Sequence, residues 1–327
     1  MNFLPFEKLD RSIIVKREAT PDENYGCWPE KRPIKELLNR GVICLNKPAG
    51  PTSHQIVDYV KKILSVKKAS HGGTLDPKVT GVLPIMLNKS VRLAEFLLKA
   101  GKEYIALMHL HKDISIEELK NSASFFVGKI KQLPPLRSAV KRKLREREIY
   151  YLEILEKADK DVLLKIGCQA GFYVRKFIHD WGKQLGIGAH MAQLIRTKAG
   201  PFNDSFWTTL QEIKDAYDHW KETKQESWLR KVVLPYEIAI QHLPKIWVID
   251  SAVNSICHGA DLKLPGIAKF ENCIAKNDYV AILTLKNELV AIGIAKASKE
   301  ELQKKEKGLA AKTKKVLMDK NIYPKIR

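Results

Sequence analysis

Apolar and polar positions change period several times along the chain, and each change marks a structural element. Residues 42–45 form a short unbroken apolar run of strand type, and Asn46-Lys47-Pro48-Ala49-Gly50-Pro51 then turns the chain. Thr52 or Ser53 caps a following helix on which Ile56, Tyr59, Val60, Ile63 and Leu64 recur on one face. Runs at 104–110, 149–155 and 161–168 read as strands, and 174–185 as a helix burying Phe177, Ile178, Trp181 and Leu185. A charge-rich, helix-like stretch covers 210–241. Beyond Leu243-Pro244 the pattern shifts to short β-type runs broken by Gly and Pro, with a hairpin of 279–285 and 289–295 about Lys286-Asn287-Glu288. The mixture predicts an α+β unit with a mixed or antiparallel sheet, followed by a small β-barrel.

At 327 residues the chain exceeds the usual size of one core, so two domains are expected, over 41–243 and 244–327. Residues 1–40 carry charges and Pro5, Pro21, Pro29 and Pro33 but little periodicity. They predict an extension that packs on the C-terminal unit rather than folding alone. The tail beyond Ser298 interleaves Lys304, Lys305, Lys307, Lys312, Lys314, Lys315 and Lys320 with Leu309, Val316 and Leu317. It reads either as a solvated helix or as an RNA contact.

Charge changes this picture. Lysine and arginine outnumber aspartate and glutamate by 57 to 37, a formal charge of +20 that repels itself and does not help the fold. Its physical use is neutralising a polyanion, with RNA or DNA the commonest such partner, and the alternative is a solvated basic surface. The first ten residues lack an apolar signal-peptide core, and no window approaches the roughly 18 apolar residues of a membrane span. An intracellular, soluble protein is expected. Five cysteines, without a C-x-x-C pair or a zinc-type spacing, read as reduced thiols.

The segment His71-Gly72-Gly73-Thr74-Leu75-Asp76-Pro77, trailed by Thr80-Gly81-Val82-Leu83-Pro84, is the most informative for chemistry. Two glycines allow a tight turn and close approach of a ligand, and Pro77 directs Asp76 away from helical conformation. On residue types alone, an ordinary turn and a displayed carboxylate both fit.

Gly-Gly-Thr-Leu-Asp-Pro with Gly-Val-Leu-Pro resembles the catalytic loop of the TruB family of pseudouridine synthases. Further motifs follow that family's order. They are Leu45-Asn46-Lys47-Pro48-x-Gly50-Pro51-Thr52-Ser53, Lys102-Glu103-Tyr104, Gln132-x-Pro134-Pro135-x-x-Ser138-Ala139-Val140-Lys141-Arg142, Gly171-Phe172-Tyr173-Val174-Arg175, and the 188–200 segment with Leu194, Arg196 and Thr197. The early extension, the Pro134–Arg142 motif and Asp250-Ser251-Ala252-Val253, His258-Gly259-Ala260-Asp261 and Leu264-Pro265-Gly266-Ile267 resemble the archaeal and eukaryotic dyskerin-like branch, with a C-terminal PUA domain. One departure is Gly72, where related loops often carry Ser or Thr.

The resemblance implies that Asp76 is the catalytic carboxylate of uridine isomerisation, acting on sugar or base as a nucleophile, or as a base toward a ribose proton. It implies that Arg175 pairs with and orients Asp76, that Tyr104 stacks on the flipped target base with Leu194 across from it, and that His71 assists flipping. Without it, Tyr104 is a strand residue, Leu194 a helical core residue and Arg175 half of a surface salt bridge. Lys47, Lys102, Lys141 and Arg142 are candidate phosphate contacts, each also readable as a solvated charge. No cofactor is implied, and neither a phosphate-binding glycine-rich helix start nor a metal cluster stands in the sequence.

The implied partners are an H/ACA guide RNA, a substrate RNA, a small zinc-ribbon-containing nucleolar-type protein, a Gly/Arg-associated β-barrel protein and a kink-turn-binding protein, in a cytoplasmic, archaeal setting. The rival reading is a stand-alone synthase acting on the tRNA T loop. A non-catalytic RNA scaffold would show a broken Asp, Tyr and Arg set, and all three are present here.

Overall fold

The computed structural model describes residues 2–134 and 143–325. The chain divides into two compact units, one of Met1–Lys8, Ile43–Met86 and Leu93–Val232, the other of Leu9–Val42, Leu87–Arg92 and Val233–Arg327.

The first unit is built on a mixed sheet. Its strands run in spatial order Gly41–Lys47, Thr80–Leu87, Ala189–Ala199, Lys102–Leu110, Asp161–Cys168, Arg145–Ala158 and Gly128–Gln132. Pairing is antiparallel from Ala189–Ala199 outward to Gly128–Gln132. Thr80–Leu87 lies parallel to Ala189–Ala199, with Thr80 opposite Ile195 and Gly81 opposite Arg196. Alternation along the strands delivers Ala106, Met108, Val162, Leu164 and Ile166 to one core. The helix Val174–Gln184 covers it with Val174, Phe177, Ile178 and Trp181, spaced three and four apart, while Leu185 packs at the margin.

The helix Ser53–Leu64 settles the choice of cap. Thr52 accepts from the Gln55 N–H, and the Gln55 side chain accepts from the Thr52 N–H, a reciprocal capping box. Its buried stripe is Ile56, Val57, Val60 and Leu64, whereas Tyr59 is exposed. The expected helical stretch over 210–241 is interrupted. Leu210–Thr223 ends where Lys224 turns left-handed (φ 64°), Ser227–Val232 is a second short helix, and a strand and a 3₁₀ turn follow.

In the second unit seven strands run in the order Ile13–Val15, Ile267–Glu271, Lys245–Val248, Tyr279–Leu283, Leu289–Ala295, Leu309–Val316 and Leu262–Lys263. The hairpin forms as read, Tyr279 pairing with Ile294 and Leu283 with Leu289. The lysine-rich tail is not a solvated helix. After a one-turn helix Lys299–Lys304, Leu309–Val316 inserts between two strands, burying Ala310 and Ala311 while Lys312 and Lys314 face solvent. In the early segment, Ile13–Val15 pairs with Ile267–Glu271, Arg11 bridges to Glu271 at 2.8 Å, and Lys16 Nζ donates to the carbonyls of Leu302 (2.6 Å) and Lys305 (2.7 Å). All five cysteines are free thiols, and among the described residues no helix is long and apolar enough to cross a membrane.

Candidate active site

The segment from Gly72 to Val79 is fixed through its backbone. The Gly72 N–H donates to Pro84 O at 2.8 Å, and the Gly73 carbonyl accepts from the Arg196 guanidinium at 2.9 Å. Ser53, one residue past the helix cap, accepts from the Leu75 N–H at 2.9 Å and donates to the Leu75 carbonyl at 3.0 Å. The Val79 N–H closes onto Asp76 O at 3.0 Å, and Pro77 O accepts from the Gly50 N–H at 2.9 Å. Gly72 itself has little room for a side chain, because a Cβ there would lie 3.1 Å from Leu97. Gly81 is required outright. Its φ is +102°, and a Cβ would come within 2.2 Å of the Arg196 carbonyl.

Asp76 stands exposed on this frame. Its Oδ2 accepts from Arg175 at 2.9 Å, with side-chain exposures of 63% for Arg175 and 60% for Asp76. A pair this wet adds at most about 1 kcal/mol to stability, so its value is orientation of the carboxylate. Arg175 is aimed by its helix, since Val174, Phe177 and Ile178 turn inward and leave it outside. The helix start is in turn clamped by Gln132, 2% exposed, whose amide donates to Tyr173 O at 3.2 Å and accepts from the Tyr173 N–H at 3.0 Å.

Tyr104 and Leu194 meet on one face of the sheet. Ala106 is opposite Leu194 and Tyr104 opposite Arg196 in adjacent antiparallel strands, and both side chains pack, partly exposed, at the margin of the core. Leu194 is therefore a strand residue, not a helical one, because the 188–200 segment alternates with period two. Burial pushes the Tyr104 hydroxyl above its usual range, and the adjacent Arg196 opposes that shift. His71 is half-buried, edge-on to His54 at 5.2 Å between ring centres. Burial, then His54 and Arg196, lower His71 to about 4, so its ring is neutral at physiological pH.

Two of the four expected phosphate contacts are structural instead. Lys47 is fully buried, and its ammonium donates to the carbonyls of Pro48 (2.8 Å), Pro77 (3.0 Å) and Val79 (3.0 Å). Lys102, 5% exposed, donates to Leu97 O (2.8 Å), Leu98 O (3.1 Å) and Ala100 O (2.6 Å). The orphan carbonyls of a turn and of a helix end have captured both cations, so neither reaches a phosphate. Lys141 and Arg142 lie outside the described residues.

Sequence reasoning assigned no role to Gln132 or Arg196 and read Ser53 only as a candidate helix cap, although each stands inside a quoted motif. Nothing in residue type or spacing separates a buried arginine from a solvated one.

Known proteins resemble the chain along nearly its whole length. Residues 61–174 match the TruB family pseudouridylate synthase N-terminal domain, 175–241 the tRNA pseudouridylate synthase B C-terminal domain, 244–317 the PUA domain and 4–57 the DKCLD domain. A probable tRNA pseudouridine synthase B of Methanopyrus kandleri is 54% identical over 322 residues, spanning 98% of this chain and 95% of its own. Its counterpart in Pyrococcus furiosus is 50% identical over 320 residues, spanning 97% and 94%. Among solved structures, a chain of a Cbf5-Nop10-Gar1 complex superposes with a TM-score of 0.94 at 50% identity, over 99% of both chains. A chain of an H/ACA RNP bound to a substrate RNA containing 2'-deoxyuridine gives 0.93 at 47% identity, again over 99% of both. With the motifs, the fold and relatives of this closeness in agreement, the chain belongs to the TruB family of pseudouridine synthases, an RNA isomerase with a C-terminal PUA domain.

Proposed function

We propose that this chain is the catalytic subunit of a guide-RNA-dependent H/ACA ribonucleoprotein and isomerises uridine to pseudouridine in rRNA and in tRNA. The observation that carries the reading is the Asp76–Arg175 pair, presented to solvent by a loop whose backbone is otherwise bonded. Isomerisation breaks the N1–C1′ bond, turns the uracil and joins C5 to C1′. It is redox-neutral and balances without a co-substrate. Asp76 supplies the carboxylate, toward sugar, base or a ribose proton, and Arg175 orients it. Tyr104 stacks on the extruded base with Leu194 opposite, repaying part of the lost stacking, while neutral His71 lines the entry without adding charge. The partners are a guide RNA and proteins like the Nop10 and Gar1 of the superposed complex, with a kink-turn-binding protein, and the setting is cytoplasmic. Residues 244–327 act as the RNA anchor.

A second reading, a stand-alone tRNA synthase, is favoured by the names of the relatives, which are tRNA pseudouridine synthases B. The test is pseudouridine yield in a guide-paired RNA and in a tRNA transcript, with and without the partner proteins. Turnover of the guide-paired RNA that requires guide and partners supports the first reading. Equal turnover of free tRNA by the isolated chain supports the second.

A further inference from the structure

Arg196 is 1% exposed, yet no carboxylate is paired with it among the described residues. Its Nε donates to Val82 O at 2.7 Å and its fork to Gly73 O at 2.9 Å, and Tyr104 is opposite it in the neighbouring strand. A second buried cation, Lys102, stands close enough that Arg196 lowers its proton affinity. Burying a guanidinium against neutral oxygens is unfavourable by several kcal/mol before its hydrogen bonds are counted, and an apolar side chain of similar volume serves stability as well or better. What the guanidinium adds is geometry. Its rigid fork reaches the backbone of the Asp76 loop and of the Thr80–Leu87 strand together, from a position in register with Tyr104.

We infer that Arg196 is a positioning residue of the isomerisation, tying the Tyr104 platform to the backbone that presents Asp76 so that base and carboxylate are held in one fixed relation. This rests on the reading of Asp76 and Tyr104 given above. Arg196 does not touch substrate. It acts through its strand, paired with that of Tyr104, on one side and through the Gly73 carbonyl on the other. The strand register supports this, since Arg196 is opposite Tyr104 in one neighbouring strand and opposite Gly81 in the other. Close approach supports it as well, because a Cβ on Gly73 would stand 3.4 Å from the guanidinium.

The test uses the full chain, assembled with guide and partners for turnover, in two forms, Arg196→Lys and Arg196→Met. Arg196→Lys keeps charge and fold while losing the fork. Its kcat should fall about 100-fold with substrate-RNA Kd unchanged within threefold, the signature of misplacement and not of lost binding. Amide hydrogen exchange across residues 72–76 should accelerate in Arg196→Lys, and more in Arg196→Met if that variant folds. A wild-type kcat in Arg196→Lys, or wild-type exchange across 72–76 in that variant, would overturn the inference. Failure of the wild-type assembly to modify any RNA would instead reject the functional reading, and the exchange measurement still decides the linkage.

Discussion

Arg32 and Glu237 in the second unit face each other through two hydrogen bonds, 2.8 and 3.1 Å, at side-chain exposures of 5% and 11%. Nearby in that unit Glu271, 6% exposed, is shared by Arg11 and Lys245. In the first unit the buried cations Lys47, Lys102 and Arg196 bond to backbone carbonyls, and the carboxylate of Asp76 is left in water with Arg175. Around Arg32 and Glu271 buried charges meet counter-charges, although Lys286 of the same unit donates to the carbonyls of Glu23 and Tyr25 much as Lys47 and Lys102 do to theirs. Beside the loop, cations fix a backbone and leave Asp76 displayed with Arg175. The contrast is between these clusters, the first closed on itself and the second open to solvent.

The sharpest way to break this contrast is Asp76→Asn. It removes the displayed acid and almost no packing, so pseudouridine formation should drop below detection, a loss of at least about 10⁴-fold, with RNA affinity within a few fold. Quantifying pseudouridine by mass spectrometry in the purified variant checks this, and measurable turnover would remove Asp76 from the chemistry. The next effect is on stability. Arg32→Met strands the Glu237 carboxylate and should reduce unfolding free energy by about 3–5 kcal/mol, whereas Arg175→Met, breaking an exposed pair, should change it by less than about 1 kcal/mol while losing most activity. Urea titrations of both variants decide it. Similar losses in the two would show that the pairs do not differ in kind.

Tyr104 sharpens the comparison from the reactive side. Replacement by Phe keeps the aromatic face, so binding of the target base should hold, while Ala should weaken it by about 1–3 kcal/mol, the scale of one base–aromatic stack. Calorimetry with a guide-paired RNA distinguishes them. Equal losses in Phe and Ala would assign the binding role to the hydroxyl rather than to the ring.

How far the sequence carried depends on the kind of evidence each residue leaves. Strands 161–168 and 279–283 and the helix from Val174 were legible because apolar periodicity reports directly on which face is buried. Asp76, Arg175 and Tyr104 were singled out by motif order, and the geometry joins the first two. Lys47 and Lys102 were misread because a lysine that caps carbonyls and a lysine that awaits a phosphate have the same side chain. The distinction lies in which carbonyls remain orphaned after folding, and only the tertiary structure shows that. Of the two readings of the tail, the solvated helix fails over 309–316 for a related reason, its outward lysines outweighing a short buried pair, Ala310 and Ala311. Small apolar residues give a weak periodic signal.

The smallest expected effect tests whether the Lys102 charge is tolerated or needed. Burial, with Arg196 beside it, lowers Lys102 from 10.5 in the unfolded chain to about 7 in the fold. Below that value both states carry the proton, and the fold bears the full penalty of a buried ammonium. Between about 7 and 10.5 the unfolded chain binds a proton that the folded chain has released, so stability rises with pH across that window. Lys102→Met removes this titration. It also leaves the carbonyls of Leu97, Leu98 and Ala100 without their donor, which lowers stability by an amount that does not depend on pH. Only the slope carries the answer. Unfolding free energy measured from pH 6 to 9.5 should climb more steeply in the wild type than in Lys102→Met, with the difference between the two confined to the region above pH 7. Parallel curves would mean that Lys102 keeps its proton throughout, the carbonyl cage at the helix end then outweighing burial and the neighbouring guanidinium.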